Sequence, residues 1–225
     1  MEINVKGAIV SNDEKWIYEW FDMDACCPND VINALKEREG DEEVLVKINS
    51  PGGNVFAASE IFAALKEVDA TAYIVGLAAS AASIIAMACK EIYMVETGLM
   101  MIHNASSRAS GDYRAMDHCK QMLETVNKSI IMAYKKRTEK SDEELQQLMD
   151  EETWMNVEDA SALGFCDGIF EPEKPKEDGV VTNQPIVAPA ASVTAKMIPV
   201  EVVDKMQSYR QGVQLRLNEL KEGRK

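Results

Sequence analysis

The sequence predicts an α/β domain built on parallel strands, followed by a linker and a single terminal helix. Strand patterns alternate with helical patterns between residues 43 and 170, as in βαβ units. Only two of the seven prolines precede residue 171, whereas all three tryptophans do. No internal repeat of fixed period is present, so a solenoid is not expected. The predicted division is 1–170 for the domain, 171–198 for a flexible Pro-rich linker and 199–225 for an amphipathic helix.

The domain's elements follow from apolar periodicity. Residues 43–49 predict a strand leading into Ser50-Pro51-Gly52-Gly53, and residues 54–68 have the periodicity of a helix. Strands are predicted at 71–76 and 91–95, and helices at 80–89, 113–137, 142–149 and from 156 to a stop at Gly164. Pro199 can open the last helix, which cannot bury its own apolar face. That helix must therefore dock on the domain, on a symmetry mate or on another protein.

Charge and hydropathy exclude several classes of partner. The chain has 24 Lys and Arg against 38 Asp and Glu, a formal charge of −14, and the excess acid lies before residue 171. Such a surface repels phosphate backbones and anionic lipid, so neither nucleic acid nor a membrane is an expected partner. The sequence has no apolar stretch of membrane-spanning length and no secretory signal, which predicts a cytoplasmic protein.

The cysteine pattern predicts free thiols. Five cysteines cannot form a complete intrachain disulfide set, and no pair has C-x-x-C spacing. Cys26 and Cys27 precede Pro28, for which a surface loop is the simple interpretation. The two histidines lack the spacing of a structural zinc site, and the chemistry considered below needs neither a metal nor an organic cofactor.

Three places in the domain could carry chemistry. Paired glycines in Ser50-Pro51-Gly52-Gly53 let a ligand approach the main chain, although the glycine pair alone favours a simple tight strand-to-helix turn. Ser80 lies at the predicted start of a helix. Its hydroxyl could be a nucleophile, with the following N–H as an oxyanion donor, or it could simply be the N-cap. His103 follows an apolar run and could accept the proton of Ser80, or it could be structural.

Each of these candidates has a competitor. Ser83 is a rival nucleophile, but it lies one turn deeper in the helix, where packing is the simpler role. His118 falls in the middle of a polar helix, where a solvated face is expected. The segment around Ser80 does not match the G-x-S-x-G elbow of the α/β-hydrolases.

In this order and spacing the motifs resemble the Clp protease proteolytic subunit family. They are INSPGG at 48–53, GLAAS at 76–80, MIHN at 101–104 and WMNVEDA at 154–160 with LGFCD at 163–167. The resemblance covers roughly residues 3–170. It is nearest to the phage and prophage head-maturation branch, on the grounds of MIHN, of EETW at 151–154 and of the C-terminal extension.

The resemblance implies a spiral of βαβ units shared with the crotonases, a long handle helix and serine endopeptidase activity. By position, Ser80 matches the nucleophile, His103 the general base and Glu152 the acid, while Gly53 and Ala81 match the oxyanion-hole donors. The family usually has Asp at the acid position and Met-Gly after the nucleophile. A homo-oligomeric ring, with stacking of two rings through the helix at 113–137, is also implied.

The resemblance leaves several functions open. The leading hypothesis is a protease that cleaves capsid or scaffold proteins in phage head maturation, with the terminal helix as a docking element. An ATPase-fed degradation subunit is an alternative, and the missing N-terminal axial loop argues against an unfoldase partner. A crotonase-type acyl-CoA enzyme is a further possibility because it shares the fold, but this sequence has no separate CoA-binding signature. The alternative that is not an enzyme is a ring-forming assembly scaffold. It is suggested by Glu152, which stands where the family usually has Asp.

Overall fold

The structure is a computed structural model that describes residues 1–170 and 197–222, with side chains of the last helix described as far as Gly212. It has eight strands within those residues. They are β1 (Glu2–Ile9), β2 (Ala25–Cys26), β3 (Val44–Gly53), β4 (Ala70–Ala79), β5 (Glu91–Met94), β6 (Leu99–Ile102), β7 (Thr153–Met155) and β8 (Gly168–Ile169). The strands at 43–49, 71–76 and 91–95 are therefore confirmed, and two of them extend further than predicted.

The same residues form eight helices. They are α1 (Lys15–Trp20), α2 (Pro28–Lys36), α3 (Val55–Lys66), α4 (Ala81–Ala86), α5 (Tyr113–Thr138), α6 (Asp142–Asp150), α7 (Val157–Ala162) and α8 (Val200–Glu222). None of the helices in the described part of the chain is long and apolar enough to cross a membrane. The predicted linker falls almost wholly on residues 171–196, which lie outside the described residues, so the proposed domain boundaries stay a prediction.

The sheet runs in the order β2-β1-β3-β4-β5-β8, and each of these neighbouring pairs is parallel. Helices connect the parallel strands, which confirms the predicted α/β class. The buried face of the sheet is apolar, and residues such as Val46, Ile48, Ile74 and Ile92 are fully buried there. Helices α3 and α4 pack against it through small residues, among them Ala58 and Ala82.

The two halves of strand β4 pair with different strands, and this change of partner positions the candidate site. Residues 71–74 pair with β5, whereas residues 77–79 pair with β6. Strand β6 therefore leaves the main sheet beside the end of β4, with Ala79 opposite Met101. Ser80 follows directly after β4, and His103 follows directly after β6. The split brings these two residues to the same edge of the sheet.

The Ser50-Pro51-Gly52-Gly53 segment is not the tight turn that was one interpretation of its sequence. It is the extended end of β3, and Ser50 pairs with Ala78 after a register shift. The hydroxyl of Ser50 donates to the Gly7 carbonyl at 2.7 Å, which fastens this end of β3 to β1. The glycines are thus held as a strand edge alongside the end of β4.

The region around Cys26 and Cys27 differs from the surface loop expected there. Both thiols are buried. Cys26 lies in β2, and Cys27 is the N-cap residue of α2. The Cys27 backbone N–H donates to Asp30 at 2.8 Å, and Lys15 pairs with the same carboxylate. Burial raises the pKa of Cys26 to about 12, which keeps this thiol protonated at neutral pH. All five cysteines are free, as predicted.

The first turn of α8 docks on the domain. Ile198 and Val203 are buried in a small apolar cluster of their own. The domain side of this cluster consists of Ala8, Val10, Ile17, Tyr18 and Cys27. Two further contacts extend the interface: Glu201 pairs with Arg108, and the Arg210 guanidinium lies 5.1 Å from the centre of the Trp16 ring. The sequence allowed three docking partners for this helix, and in the structure the helix docks on the domain.

We expect Val203→Asp to release α8 from the domain. Val203 is 7% exposed, and an unpaired carboxylate at this position cannot be hydrated while the helix is docked. Hydrogen exchange of the amides of residues 200–212 should become at least about tenfold faster, because opening of the helix then costs less free energy. Tyr209→Asp is the control on the same helix, since Tyr209 is 72% exposed. Equal protection in the two variants would show that Val203 does not hold the helix.

Candidate active site

The candidate site is centred on a hydrogen bond between a serine and a histidine. His103 Nε2 lies 2.8 Å from Ser80 Oγ, although the two residues are 23 positions apart in the chain. The Ser80 backbone N–H donates to the Met101 carbonyl at 2.8 Å, which ties the end of β4 to β6. The geometry is that of a hydroxyl whose proton can pass to an imidazole.

Ser80 adopts a backbone conformation that few non-glycine residues adopt. Its φ is 55° and its ψ is −122°, and its side chain makes no N-cap hydrogen bond to α4. Ser80 thus occupies the N-cap position of α4 but does not cap the helix with its side chain, since the hydroxyl hydrogen-bonds to His103 instead. Strain of this kind costs on the order of 1–3 kcal/mol and persists only where the surroundings hold it.

Strand β3 packs closely against this strained turn through Gly52 and against β1 through Gly53. A Cβ atom built on Gly52 would lie 2.8 Å from the Cβ of Ser80 and 2.9 Å from the Ala81 nitrogen. At Gly53, the Cβ would lie 2.1 Å from the Ile9 carbonyl oxygen. Only residues without side chains allow β3 to approach so closely, which explains both glycines.

A cavity of about 270 Å³ opens beside the Ser80 hydroxyl. Gly53, Ser80, Ala81 and His103 all line it, so the structure brings together four of the five residues predicted from the sequence. Its deeper wall is formed by Ile84, Ile130 and Tyr134. A carbonyl bound here would be near the hydroxyl, the imidazole and the two predicted donor amides at once.

An apolar groove of about 630 Å³ continues from this cavity between α3 and α5. The two share wall residues Val55, Phe56, Ile84 and Ile130. Phe56 and Met132 on the groove are 68% and 73% exposed, and Lys66 and Lys136 stand at its margin. The arrangement can hold an extended apolar segment that reaches the cavity beside Ser80.

The segment that follows His103 is held by an amide network. Asn104 accepts hydrogen bonds from Asn127 on α5 at 2.8 Å and from Gln146 on α6 at 3.0 Å. Its own amide donates to Asp150 at 2.7 Å. Hydrogen bonds from Asn104 and Gln146 lower the pKa of the Asp150 carboxyl, so it stays ionised as their acceptor. This network anchors the residue next to the imidazole on two helices.

Glu152 is the predicted site residue that the structure does not bring to the histidine. Among the described residues, no hydrogen bond or ion pair joins Glu152 to His103. Instead, the Glu152 carboxylate accepts from the Trp154 indole at 3.4 Å, and its backbone φ is 50°. His118, the competing histidine, is exposed on α5, in agreement with its predicted solvated position.

Two side chains near the nucleophile make contacts that the sequence did not indicate. Ser83 is fully buried, which confirms its predicted packing position, but it also hydrogen-bonds to the Ser80 carbonyl and to Tyr134. Tyr134 lies 51 residues further along the chain, on α5. No local pattern could have linked it to the site, because the contact depends on how α5 packs over α4.

The serine hydroxyl is hydrogen-bonded to an imidazole beside a cavity, on a parallel α/β fold. This arrangement places the protein in the class of serine hydrolases. The sequence model of one such family, described as Clp protease, matches residues 24–173. The chain belongs to the Clp protease family and is a serine-type peptidase.

Individual relatives agree with this assignment. ATP-dependent Clp protease proteolytic subunit 1 of Chlamydia abortus is 30% identical over 136 residues, covering 57% of this chain and 70% of the relative. The proteins of the same name from Chlamydia muridarum and Chlamydia trachomatis serovar D are each 29% identical over the same lengths. The range matched by the family model includes both Ser80 and His103.

Proposed function

We propose that this chain is an endopeptidase in which Ser80 is the nucleophile and His103 the general base. The 2.8 Å contact between their side chains is the observation that carries the proposal. Ser80 Oγ attacks the scissile carbonyl carbon while its proton moves to His103 Nε2. The proton then passes to the leaving amine, and water hydrolyses the resulting acyl-enzyme by the same route. The backbone N–H groups of Gly53 and Ala81 bind the developing oxyanion.

We propose Glu152 as the acid of the triad in the assembled enzyme. It stands at the position that matches the family's acid, two residues before the Trp154 indole that now binds its carboxylate. A carboxylate on His103 Nδ1 would hold the imidazole in the correct tautomer and stabilise its protonated form. For this the Glu152 side chain must leave Trp154 and turn toward the histidine.

Members of this family form homo-oligomeric rings, and we propose a ring for this chain. The exposed apolar side chains in the first half of α5, including Tyr113, Met116 and Met122, are the surface on which a second ring would stack. Within the ring, we propose that the substrates are capsid or scaffold proteins of a phage head. The MIHN and EETW motifs and the C-terminal extension support this branch of the family.

Degradation with an ATPase partner is the second candidate function. It is favoured by the relatives, which are named proteolytic subunits of an ATP-dependent Clp protease. The two functions differ in their need for nucleotide. A head-maturation protease cleaves its capsid substrate without ATP, whereas a degradation subunit digests a folded substrate only with a Clp unfoldase and ATP.

We expect a fluorophosphonate probe to form one adduct on the full chain, at Ser80. The probe phosphonylates a serine only where a base and an oxyanion hole activate it. Intact mass should show one added phosphonyl group in the wild type and none in Ser80→Ala. Ser161→Ala is the matched control, because Ser161 is an exposed serine on α7.

The acid is tested in the same assay. Glu152→Gln should slow labelling by about a hundredfold or more if Glu152 completes the triad. Labelling of an assembled wild type at a residue other than Ser80, or no labelling at all, would contradict the proposed function. The latter result would favour the scaffold hypothesis.

A further inference from the structure

The carbonyl group of Ser80 is held by an unusual pair of donors. It accepts from the Ser83 backbone N–H at 3.0 Å and from the Ser83 hydroxyl at 2.6 Å. The Ser83 hydroxyl has a second partner, the Tyr134 hydroxyl, at 2.8 Å. Both side chains are buried, at 0% and 1% exposure, so water does not compete for these bonds.

The direction of these hydrogen bonds follows from the number of protons. A serine hydroxyl has one proton, and that of Ser83 is given to the Ser80 carbonyl. Tyr134 must therefore donate to Ser83. Burial raises the pKa of Tyr134 well above its usual range, so this hydroxyl keeps its proton and stays a donor. The chain of donors thus runs from α5 through α4 to the carbonyl of the nucleophile.

This carbonyl shares a peptide plane with the predicted oxyanion donor. In a trans peptide, the C=O of Ser80 and the N–H of Ala81 point in opposite directions. Two donors that hold the carbonyl toward the interior of α4 therefore aim the Ala81 N–H the other way. Ala81 lines the cavity beside Ser80 and His103, so this peptide plane lies at the wall where an oxyanion would form.

We propose that Ser83 and Tyr134 are positioning residues that hold the Ser80–Ala81 peptide plane with its N–H aimed at the oxyanion. This inference rests on the proposed function, since it assigns a second support to the same nucleophile. The strained backbone of Ser80, with its φ of 55°, requires such support because an unstrained turn would rotate this plane. Both side chains act through the Ser80–Ala81 peptide plane and not on the scissile bond.

The test compares Ser83→Ala, Tyr134→Phe and the double variant in peptide hydrolysis. Ser83→Ala should lower kcat by about ten- to a hundredfold with KM within about twofold, because a misaimed oxyanion donor acts only in the transition state. Tyr134→Phe should cost several-fold less, since the Ser83 hydroxyl still reaches the carbonyl. Thr125→Ala is the control, because it removes an exposed hydroxyl that donates to the Gln121 carbonyl at 2.8 Å.

A second readout separates positioning from loss of stability. A peptide aldehyde forms a hemiacetal with Ser80 whose oxygen occupies the oxyanion hole, whereas the matched peptide alcohol does not. The inhibition constant of the aldehyde should rise in Ser83→Ala by the same factor by which kcat falls, and that of the alcohol should not change. The double variant removes both buried hydroxyls, so its Tm should recover toward that of the wild type while kcat stays low.

Each outcome bears on a different claim. Recovery of kcat together with Tm in the double variant, or an unchanged aldehyde constant in Ser83→Ala, would overturn the positioning role. If the wild type is labelled at Ser80 and Ser83→Ala is labelled at the same rate, only this inference fails. If the assembled wild type is not labelled at Ser80, the proposed function fails as well.

Discussion

His103→Ala should reduce kcat for peptide hydrolysis on the order of 10⁴-fold or more, because it removes the base that accepts the proton of Ser80. The only hydrogen bond of the Ser80 hydroxyl among the described residues is with this imidazole, at 2.8 Å. A serine hydroxyl without a base is a weak nucleophile at neutral pH. Rates should be measured with a short peptide ester and a peptide amide. The amide rate should fall further, since its amine leaving group also needs a proton.

His118→Ala is the matched control for this prediction. It removes the second histidine of the chain, which is exposed on α5. Its kcat should stay within about twofold of the wild type, provided that light scattering shows the same assembly. If His103→Ala kept more than about a tenth of the wild-type rate, Ser80 and His103 would not form the catalytic pair. If neither variant nor the wild type hydrolyses peptides, the assembly-scaffold hypothesis gains.

The parts of the site that the sequence could predict are those that local rules determine. Ser80 and His103 each follow an apolar strand directly, and parallel strands deliver their ends to the same edge of a sheet. Their proximity therefore follows once the two strands are assumed to be neighbours. The glycines of 52–53 were also recognised as a place of close approach, although they form a strand edge rather than a turn.

The parts that the sequence could not predict depend on packing between distant elements. Tyr134 reaches Ser83 only because α5 crosses α4, and nothing in the residues around either one indicates it. Pro28 after Cys26 and Cys27 indicates a loop, yet Cys26 pairs with β1 and lies in the main core, and Cys27 lies in the apolar cluster of Ile198 and Val203. Glu152 matched by position, but a position does not determine the rotamer of a flexible carboxylate, which here faces Trp154.

Gly52→Ala should cause the second large loss, because the added methyl group would collide with the nucleophile turn itself. Its Cβ would lie 2.6 Å from the Ala79 carbonyl oxygen and 2.8 Å from the Ser80 Cβ. Relief of these contacts must move either β3 or Ser80, and a shift of about 1 Å at a reacting group can cost a hundredfold in rate. The φ of +90° adds strain of roughly 1–3 kcal/mol in any case. We therefore expect kcat and probe labelling at Ser80 to fall at least a hundredfold.

Gly40→Ala separates the collision from the backbone strain. Gly40 also has a positive φ, of +55°, but a Cβ there would meet nothing within 4 Å. This control should lower the free energy of unfolding by about 1 kcal/mol and leave kcat unchanged. Circular dichroism and Tm, measured for both variants, show whether each is folded at the assay temperature. If a folded Gly52→Ala variant is labelled at the wild-type rate, β3 can move away from Ser80 without displacing the nucleophile. The close approach of Gly52 would then have no role in holding Ser80.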